Sequence, residues 1–303
     1  MDLRVGCEFT YQSLGPTPAV VLVEPHPLPP HRIAWEEWSV SPEMPQHTYH
    51  DSYQNTIRRL VLPQGTSTLR YDAIVEVSGE PDTVAVDARQ SPIEELPDDV
   101  VVYTLASRYC QSEALSQVAW HLFGKTEPGW ARVQAVCDWL HTNIQYGKIL
   151  STPTTTAVDV YVAGGGMCRD FAHLAITFCR ALNIPARYVF GYMPDIAVHG
   201  ELPAMDFHAW FEVWLDDRWW TFDARFNFPR IGRIPVGIGR DAVDVAMVTT
   251  WGAAQFRSMV VWADVHRPGE DQPDPRDEAD GVPPAESEGI TIANTSPQEQ
   301  APA

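Results

Sequence analysis

The chain has 303 residues and 45% of them are hydrophobic, which is enough to build packed cores and excludes a chain that is disordered or fibrous as a whole. At roughly 150 residues per domain, this length predicts about two domains. The 40 acidic and 21 basic residues give a formal net charge of −19, so we expect neither nucleic acid nor an anionic membrane surface as a partner.

The first residues, Met1 to Arg4, lead into a mixed sequence rather than into the apolar segment of a signal peptide. No stretch reaches the roughly 18 apolar residues that a membrane span requires. These features predict a cytoplasmic protein. The five cysteines are odd in number and lack CxxC spacing, which is typical neither of a disulfide framework nor of a zinc site; they are Cys7, Cys110, Cys137, Cys168 and Cys179.

Residues 1–95 hold their apolar side chains in short runs between prolines. In the clearest run, apolar residues occupy every second position: Leu69, Tyr71, Ala73, Val75 and Val77. Such alternation predicts a strand with one buried face. We predict that 1–95 is an N-terminal all-β domain, built as an antiparallel β-sandwich.

Residues 96–266 change to helical spacing, first around Val133 to Leu140 and again from Cys168 to Leu182, and short β-rich stretches follow. This order predicts an α+β domain. Residues 267–303 contain seven prolines and nine acidic residues but only two arginines. Because this segment cannot bury enough apolar surface to become ordered, we predict a disordered C-terminal tail.

Three glycines, 164–166, precede Met167 and Cys168, and Cys168 opens a strong helical pattern that Pro185 should end near Asn183. Cys168 is therefore predicted at a helix N-terminus. The unpaired amides and the positive dipole end there favour a thiolate, which is the nucleophilic form of cysteine. The glycines would allow a substrate carbonyl to approach both the sulfur and a backbone amide.

A hairpin is predicted further along, with strands at 206–215 and 218–223 and a turn at Asp216 and Asp217. If a two-residue turn pairs Leu215 with Arg218, His208 and Asp223 become diagonal neighbours on one sheet face. A four-residue loop preserves this arrangement, whereas a three-residue loop places the two side chains on opposite faces.

A helix-start cysteine, a strand histidine and a carboxylate on the partner strand are the parts of a nucleophilic triad. In this interpretation Cys168 is the nucleophile, His208 the base and Asp223 the acid that orients it. His173 lies about 140° around the helix from Cys168 and is interpreted as structural. Cys168, His173 and Cys179 do not form a ligand set tight enough for zinc, so no metal is predicted.

The motifs around these residues resemble those of the bacterial transglutaminase-like superfamily. The resemblance rests on Gly166-Met167-Cys168-Arg169-Asp170-Phe171-Ala172-His173-Leu174, Ala181-Leu182-Asn183-Ile184-Pro185-Ala186-Arg187-Tyr188-Val189, Phe207-His208-Ala209-Trp210 and Trp220-Thr221-Phe222-Asp223, and it covers about 100–266. It implies a papain-like transglutaminase core, often preceded by a β domain, and a cysteine-protease type of chemistry. It also implies the triad roles given above.

Two further residues are candidates for substrate binding. Tyr146 is a candidate second oxyanion donor by its position in the resembled family alone. Trp210 belongs to an aromatic cluster that either walls an acyl-binding cleft or packs beneath the sheet. One difference from the family is that Asp223 is followed by Ala-Arg-Phe-Asn, where the bacterial branch often has Pro-Thr-Asn.

The sequence thus predicts acyl transfer from a glutamine carboxamide or a peptide amide through a Cys168 thioester. Both hydrolysis by a protease or amidase and transfer to an amine by a transglutaminase fit this site, and the substrate would be a protein or peptide. No GxGxxG or Walker pattern occurs, so no nucleotide cofactor is predicted. The alternative is a non-catalytic protein-interaction module on the same fold.

Overall fold

The structure is a computed structural model that describes residues 1–28, 31–147, 151–198, 204–267 and 269, and the backbone of 291–293. The chain divides into two compact units. The first contains Met1–Ser78, 204–206 and the described residues after Val245, and the second contains Gly79–Val198 and Phe207–Val245.

The described strands in chain order are β1 (Asp2–Ser13), β2 (Thr17–Val21), β3 (Arg32–Ser41), β4 (His47–His50), β5 (Thr56–Leu62), β6 (Gly65–Glu76), β7 (Gln145–Tyr146), β8 (Gly165–Gly166), β9 (Ala186–Tyr192), β10 (His208–Leu215), β11 (Arg218–Phe222), β12 (Ile234–Gly239), β13 (Val248–Thr250), β14 (Ala254–Val265) and β15 (Thr291–Ala293). The α-helices are α1 (Asp98–Val101), α2 (Ser116–Phe123), α3 (Trp130–Asn143), α4 (Ala157–Ala163) and α5 (Cys168–Ala181), with two short 3₁₀ helices at Ile93–Glu95 and Val102–Thr104. The chain therefore has the predicted α+β composition.

The first unit contains two sheets, of strand order β14-β1-β6-β3 and β15-β13-β2-β5-β4. Alternation along β1 buries one side chain in two, as Leu3, Val5 and Phe9 illustrate. Glu24 links the two sheets, because its carboxylate accepts hydrogen bonds from Trp38 on β3 and from Arg58 on β5. The residues before 79, together with β13, β14 and β15, thus form the all-β part of the molecule.

Strand β14 differs from the predicted domain organisation. The sequence assigned 96–266 to the α+β domain, whereas β14 pairs with β1 along its whole length, from Leu3 opposite Val265 to Ser13 opposite Ala254. The boundary near 95 also moves, to Ser78 and Gly79. The alternation of β14 indicates a strand but carries no information on which sheet it joins, and its partner lies at the other end of the sequence.

Most of the predicted disordered tail lies outside the described residues. Within it, β15 is a short strand that pairs parallel with β13. The three residues contain the β-branched pair Thr291 and Ile292, which favours extended backbone. Over this short stretch the structure has a strand where the sequence predicted disorder.

The second unit has an antiparallel sheet of order β11-β10-β9-β12 that packs against α5. Helix α5 also contacts α2, α3 and α4, and every residue from Cys168 to Arg180 is buried. A helix enclosed in this way must satisfy its polar side chains internally. Arg180 does so by donating to the backbone carbonyls of Ala186, Leu105 and Arg240.

The longest helices in the described ranges, α3 and α5, have 14 residues each, and none of the helices there is long and apolar enough to cross a membrane.

Candidate active site

The N-terminus of α5 has a locally determined geometry. Met167 is the N-cap residue, its N–H donates to Asp170 Oδ2 at 2.9 Å, and Cys168 is the first helical residue. Asp170 is fully buried and accepts hydrogen bonds from Nε and Nη2 of Arg169. Arg169 is held in turn by the carbonyl of Thr152. Cys168 is thus fixed at the predicted helix start, with 2% of its surface exposed.

The glycines before Cys168 have separate structural roles. Gly164 adopts a left-handed conformation (φ 70°) and caps α4, which only a residue without a Cβ does readily. Gly166 packs so closely on Asp170 that a Cβ there would lie 2.6 Å from the Asp170 Cβ. Gly166 also pairs with Tyr146 in the β7–β8 ladder. The ladder therefore holds Tyr146 next to the segment that leads into Cys168.

The hairpin of β10 and β11 has the predicted register. Leu215 pairs with Arg218 and Phe211 with Phe222, joined by a two-residue turn. Asp216 and Asp217 both have positive φ (45° and 58°), the conformation of a type I′ turn. Strand pairing of this register brings His208 and Asp223 together, as expected from the sequence.

His208 Nε2 and Asp223 Oδ2 lie 2.8 Å apart, and the exposed fractions of the two residues are 4% and 7%. An ionised carboxylate only accepts hydrogen bonds, so Nε2 carries the hydrogen and the neutral ring has an unprotonated Nδ1. Burial lowers the pKa of His208, and Arg233 and Arg225 lower it further, while Asp223 opposes this shift. Burial alone would raise the pKa of Asp223, but His208 and Arg233 hold it well below its ordinary value.

Arg233 is a member of this site that the sequence analysis did not identify as functional. Its Nη2 donates to Asp223 Oδ2 at 2.9 Å and its Nε donates to Asp82 Oδ2 at 2.8 Å. The backbone N–H groups of Arg225 and Phe226 donate to the other carboxylate oxygen of Asp223. Arg233 lies in an irregular segment before β12, where no periodicity indicates a partner.

Cys168 and His208 lie on elements that pack together, since α5 contacts β10. Three other cysteines in this unit are poor nucleophiles. Burial raises the pKa of Cys110 and of Cys179 to about 12, and it raises that of Cys137 well above its ordinary value. Cys137 lines a cavity of about 80 Å³ beside Asp223, yet burial keeps its thiol protonated.

The remaining candidate residues have the following environments. Tyr146 is 38% exposed, and the Arg225 guanidinium stacks on its ring. Trp210 is 1% exposed and stacks on His208, so its observed contact is with the imidazole and with Val189 and Ile238 in the core.

His173 is fully buried between two tyrosine rings, and its Nε2 accepts a hydrogen bond from the N–H of Ala242, which agrees with a structural role. In the described part of the chain, no group of three His, Cys, Asp or Glu side chains is arranged for a metal ion.

Comparison with known proteins identifies the fold. A sequence profile described as the transglutaminase-like superfamily matches residues 117–224. The crystal structure of a "putative cysteine protease" from Cytophaga hutchinsonii matches with a TM-score of 0.80 and 30% identity, covering 91% of this chain and 94% of that protein.

Two mycobacterial relatives, both described as uncharacterised, are also similar. The Mycobacterium leprae protein is 33% identical over 117 residues, which cover 38% of this chain and 42% of that relative's length. The Mycobacterium tuberculosis H37Rv protein is 28% identical over 218 residues, covering 65% of this chain and 69% of that protein.

An α+β fold with an antiparallel sheet packed on a helix that begins at a cysteine defines a protein of the transglutaminase-like class. The chain belongs to the bacterial transglutaminase-like superfamily. Membership and the similarity to the Cytophaga hutchinsonii protein support the general kind of function predicted from the sequence, that of a cysteine-dependent enzyme.

Proposed function

We propose that the protein is a cysteine-dependent acyl-transfer enzyme with a triad of Cys168, His208 and Asp223, acting on a glutamine carboxamide or peptide amide. The observation that carries this proposal is the 2.8 Å hydrogen bond between His208 Nε2 and Asp223. That bond leaves Nδ1 unprotonated on a strand that packs against the helix beginning at Cys168. A base nitrogen and a nucleophile on contacting elements are what thiol activation requires.

In this reaction His208 Nδ1 takes the proton of the Cys168 thiol, and the thiolate attacks the carbonyl carbon of the amide. The C–N bond then breaks, the leaving amine takes the proton from the imidazolium, and the acyl group remains as a thioester on Sγ. In the second half, water attacks the thioester carbon and gives a proton to Nδ1, and the C–S bond breaks to release the acid. The Cys168 thiolate that leaves takes the proton back from the imidazolium, which restores the thiol and the neutral ring. Asp223 stabilises the imidazolium in both halves without itself taking the proton.

The oxyanion formed on the carbonyl oxygen would be stabilised by backbone N–H groups at the start of α5. Our candidate donor is the backbone N–H of Cys168, because it belongs to the residue that carries the attacking sulfur and to the first turn of α5. We keep Tyr146, which pairs with Gly166, as the candidate second donor.

We propose water, rather than an amine, as the acyl acceptor. The sequence contains no feature that marks an amine site, and the bacterial branch of the resembled family is more often described as protease-like. With only Lys125 and Lys148 as lysines, the chain should also be a poor substrate for its own cross-linking. Incubation with an acyl donor and rising primary amine tests this. Mainly free acid at millimolar amine supports hydrolysis, and mainly amide at low amine contradicts it.

The test of the triad itself is intact-mass detection of an acyl-enzyme with a library of glutamine-containing peptides and simple amides. We expect an adduct on the full-length protein that is lost in Cys168→Ala and retained in Cys179→Ala, because only the former removes the nucleophile. Cys179→Ala should cost stability on the order of 1 kcal/mol. Wild-type turnover by Cys168→Ala would contradict the proposal. Uniformly slow thiol alkylation at all cysteines would favour the non-catalytic module.

A further inference from the structure

Arg225 has an unusual environment for an arginine beside the His208–Asp223 pair. Its guanidinium carbon lies 3.7 Å from the ring centroid of Tyr146 and 4.6 Å from that of Phe226. Within the described ranges it has no carboxylate partner. Other arginines of the same unit do pair with a carboxylate: Arg169 with Asp170, Arg187 with Glu212, Arg230 with Asp195 and Arg233 with Asp82.

The contacts of Arg225 connect both sides of the proposed site. Tyr146, under the guanidinium, pairs with Gly166, two residues before Cys168. Phe226, the second ring, lies 5.2 Å from the His208 ring. The backbone N–H of Arg225 donates to Asp223 Oδ1 at 3.0 Å, which fixes the start of the side chain.

Stacking fixes a guanidinium without using its hydrogen-bond donors. A guanidinium that lies over aromatic rings is held by its faces, which leaves its N–H groups available in the plane for other partners. A planar fork of this kind matches the two oxygens of a carboxylate. Because Arg225 is half-buried, an anion bound to it would be partly shielded from water. The two rings also restrict the Arg225 side chain before an anion binds, which reduces the rotamer entropy lost on binding.

We propose that Arg225 is a substrate-specificity residue and that the acyl donor carries a carboxylate near the scissile amide. This inference rests on the proposed function, since it assigns the substrate class of the same thiol. It selects acidic peptides or amides with a free carboxylate over neutral and basic ones. In a chain of formal net charge −19, such selection requires a local cation at the site.

The test uses thiol reagents that differ only in charge. Cys168 is alkylated with iodoacetylglycine and with iodoacetylglycinamide, and again with the corresponding glycylglycine pair, so that the carboxylate is offered at two distances. The rate ratio of anion to amide is measured by mass spectrometry in the wild type, Arg225→Gln and Arg225→Lys. Arg218→Gln is the matched control, because Arg218 also stacks on an aromatic ring, Trp220, but at the far end of the hairpin.

We expect Arg225→Gln to lower the anion-to-amide ratio of alkylation rates about fivefold for at least one of the two reagent pairs. This change corresponds to about 1 kcal/mol, the size expected for a partly exposed charged hydrogen bond. Arg225→Lys should give an intermediate ratio, and Arg218→Gln should match the wild type. Equal ratios in the wild type and Arg225→Gln for both pairs would overturn the inference while leaving the thiol chemistry intact. Absence of alkylation at Cys168 by every reagent would overturn the proposed function and this inference with it.

Discussion

Asp223 Oδ2 accepts hydrogen bonds from a titrating group, His208, and from a permanent cation, Arg233. The positive charge of Arg233 disfavours the imidazolium form of His208. Asp82, which accepts a hydrogen bond from Arg233 Nε, offsets part of the Arg233 charge. In the proposed triad, Arg233 would act on His208 through Asp223 as a positioning residue. The pKa of His208 would then depend on Asp82 as well as on Asp223 and Arg233.

We expect opposite shifts of the His208 pKa in Arg233→Gln and Asp82→Asn. Removing the Arg233 cation should raise that pKa, and removing the Asp82 charge should lower it by a smaller amount, because Asp82 is farther away. The measurement is an NMR titration of the His208 ring in the full-length protein. If both variants merely loosened the site, the two shifts would have the same sign.

His173 gives a second pH-dependent prediction, here for stability. Burial lowers its pKa to about 3, so the folded state keeps the ring neutral while the unfolded state is protonated below pH 6.5. The unfolded state then binds more protons, and stability falls as the pH drops from about 6.5 towards 3. From pH 7 to pH 5 this histidine should account for about 2 kcal/mol of the loss.

Urea unfolding of His173→Gln at both pH values checks this assignment. The variant should lose about 2 kcal/mol less between pH 7 and pH 5 than the wild type does. The control is His121→Gln, because His121 is exposed on α2. An unchanged pH dependence in His173→Gln would show that other groups cause the loss.

The individual site residues were predictable to different degrees. Cys168 could be placed because glycines and a helical pattern flank it, and His208 and Asp223 because strand alternation fixes which side chains share a face. Arg233 could not, since it lies in an irregular segment whose neighbours are set by tertiary contacts. Trp210 was left open between two roles, and its stacking on His208 is a detail that only the packed sheet defines.

At the scale of single elements, α5 shows what periodicity omits. Its apolar spacing predicted a helix from Cys168, and the helix does begin there. The polar positions Arg169, Asp170 and Arg180 would ordinarily form a solvent-exposed face, yet all are buried. They are buried because each has internal partners. Arg169 and Asp170 pair with each other, whereas Arg169 also donates to the carbonyl of Thr152 and Arg180 to that of Arg240, which lie outside the helix.

The hairpin turn provides an element-scale prediction. Asp217 has φ 58° at the second central position of a type I′ turn, where glycine is favoured. Asp217→Gly should therefore raise the free energy of unfolding by about 0.5–1 kcal/mol without changing the His208–Asp223 register. The measurement is urea denaturation, with Asp217→Val as the contrasting variant. A β-branched residue should destabilise this turn, so equal stabilities would contradict the turn assignment.

At the scale of the whole molecule, β14 is the feature that sequence patterns could not place. Whether a strand joins one sheet or another is decided by its pairing partner, and here that partner, β1, lies more than two hundred positions away. The α+β class and the all-β character of the first part were predictable from local patterns. Local patterns could not predict that the first unit combines segments from the two ends of the sequence.

Two truncations separate the contributions of the C-terminal segments. Among the contacts of the described residues, a chain that ends at residue 267 loses the short pairing of β15, and it should keep its melting temperature within a few degrees. A chain that ends at residue 245 also loses β13 and β14, including the buried Val261 and Trp262 of β14, each worth about 1.5–3 kcal/mol of burial.

The shorter chain should therefore lose the cooperative unfolding of the first unit in calorimetry. Hydrogen exchange should find β1 protected in the chain that ends at 267 and unprotected in the chain that ends at 245. A cooperative first unit in the shorter chain would show that β14 is dispensable.

The position of β14 also sets an order of events during synthesis. Strand β1 is translated before the second unit, but its partner β14 follows only after that unit. Domains tend to fold as units in the order of synthesis, so the thiol-bearing unit should mature first. Until β14 is translated, one edge of β1 has unpaired amides and carbonyls, a row of groups that favours pairing with another chain.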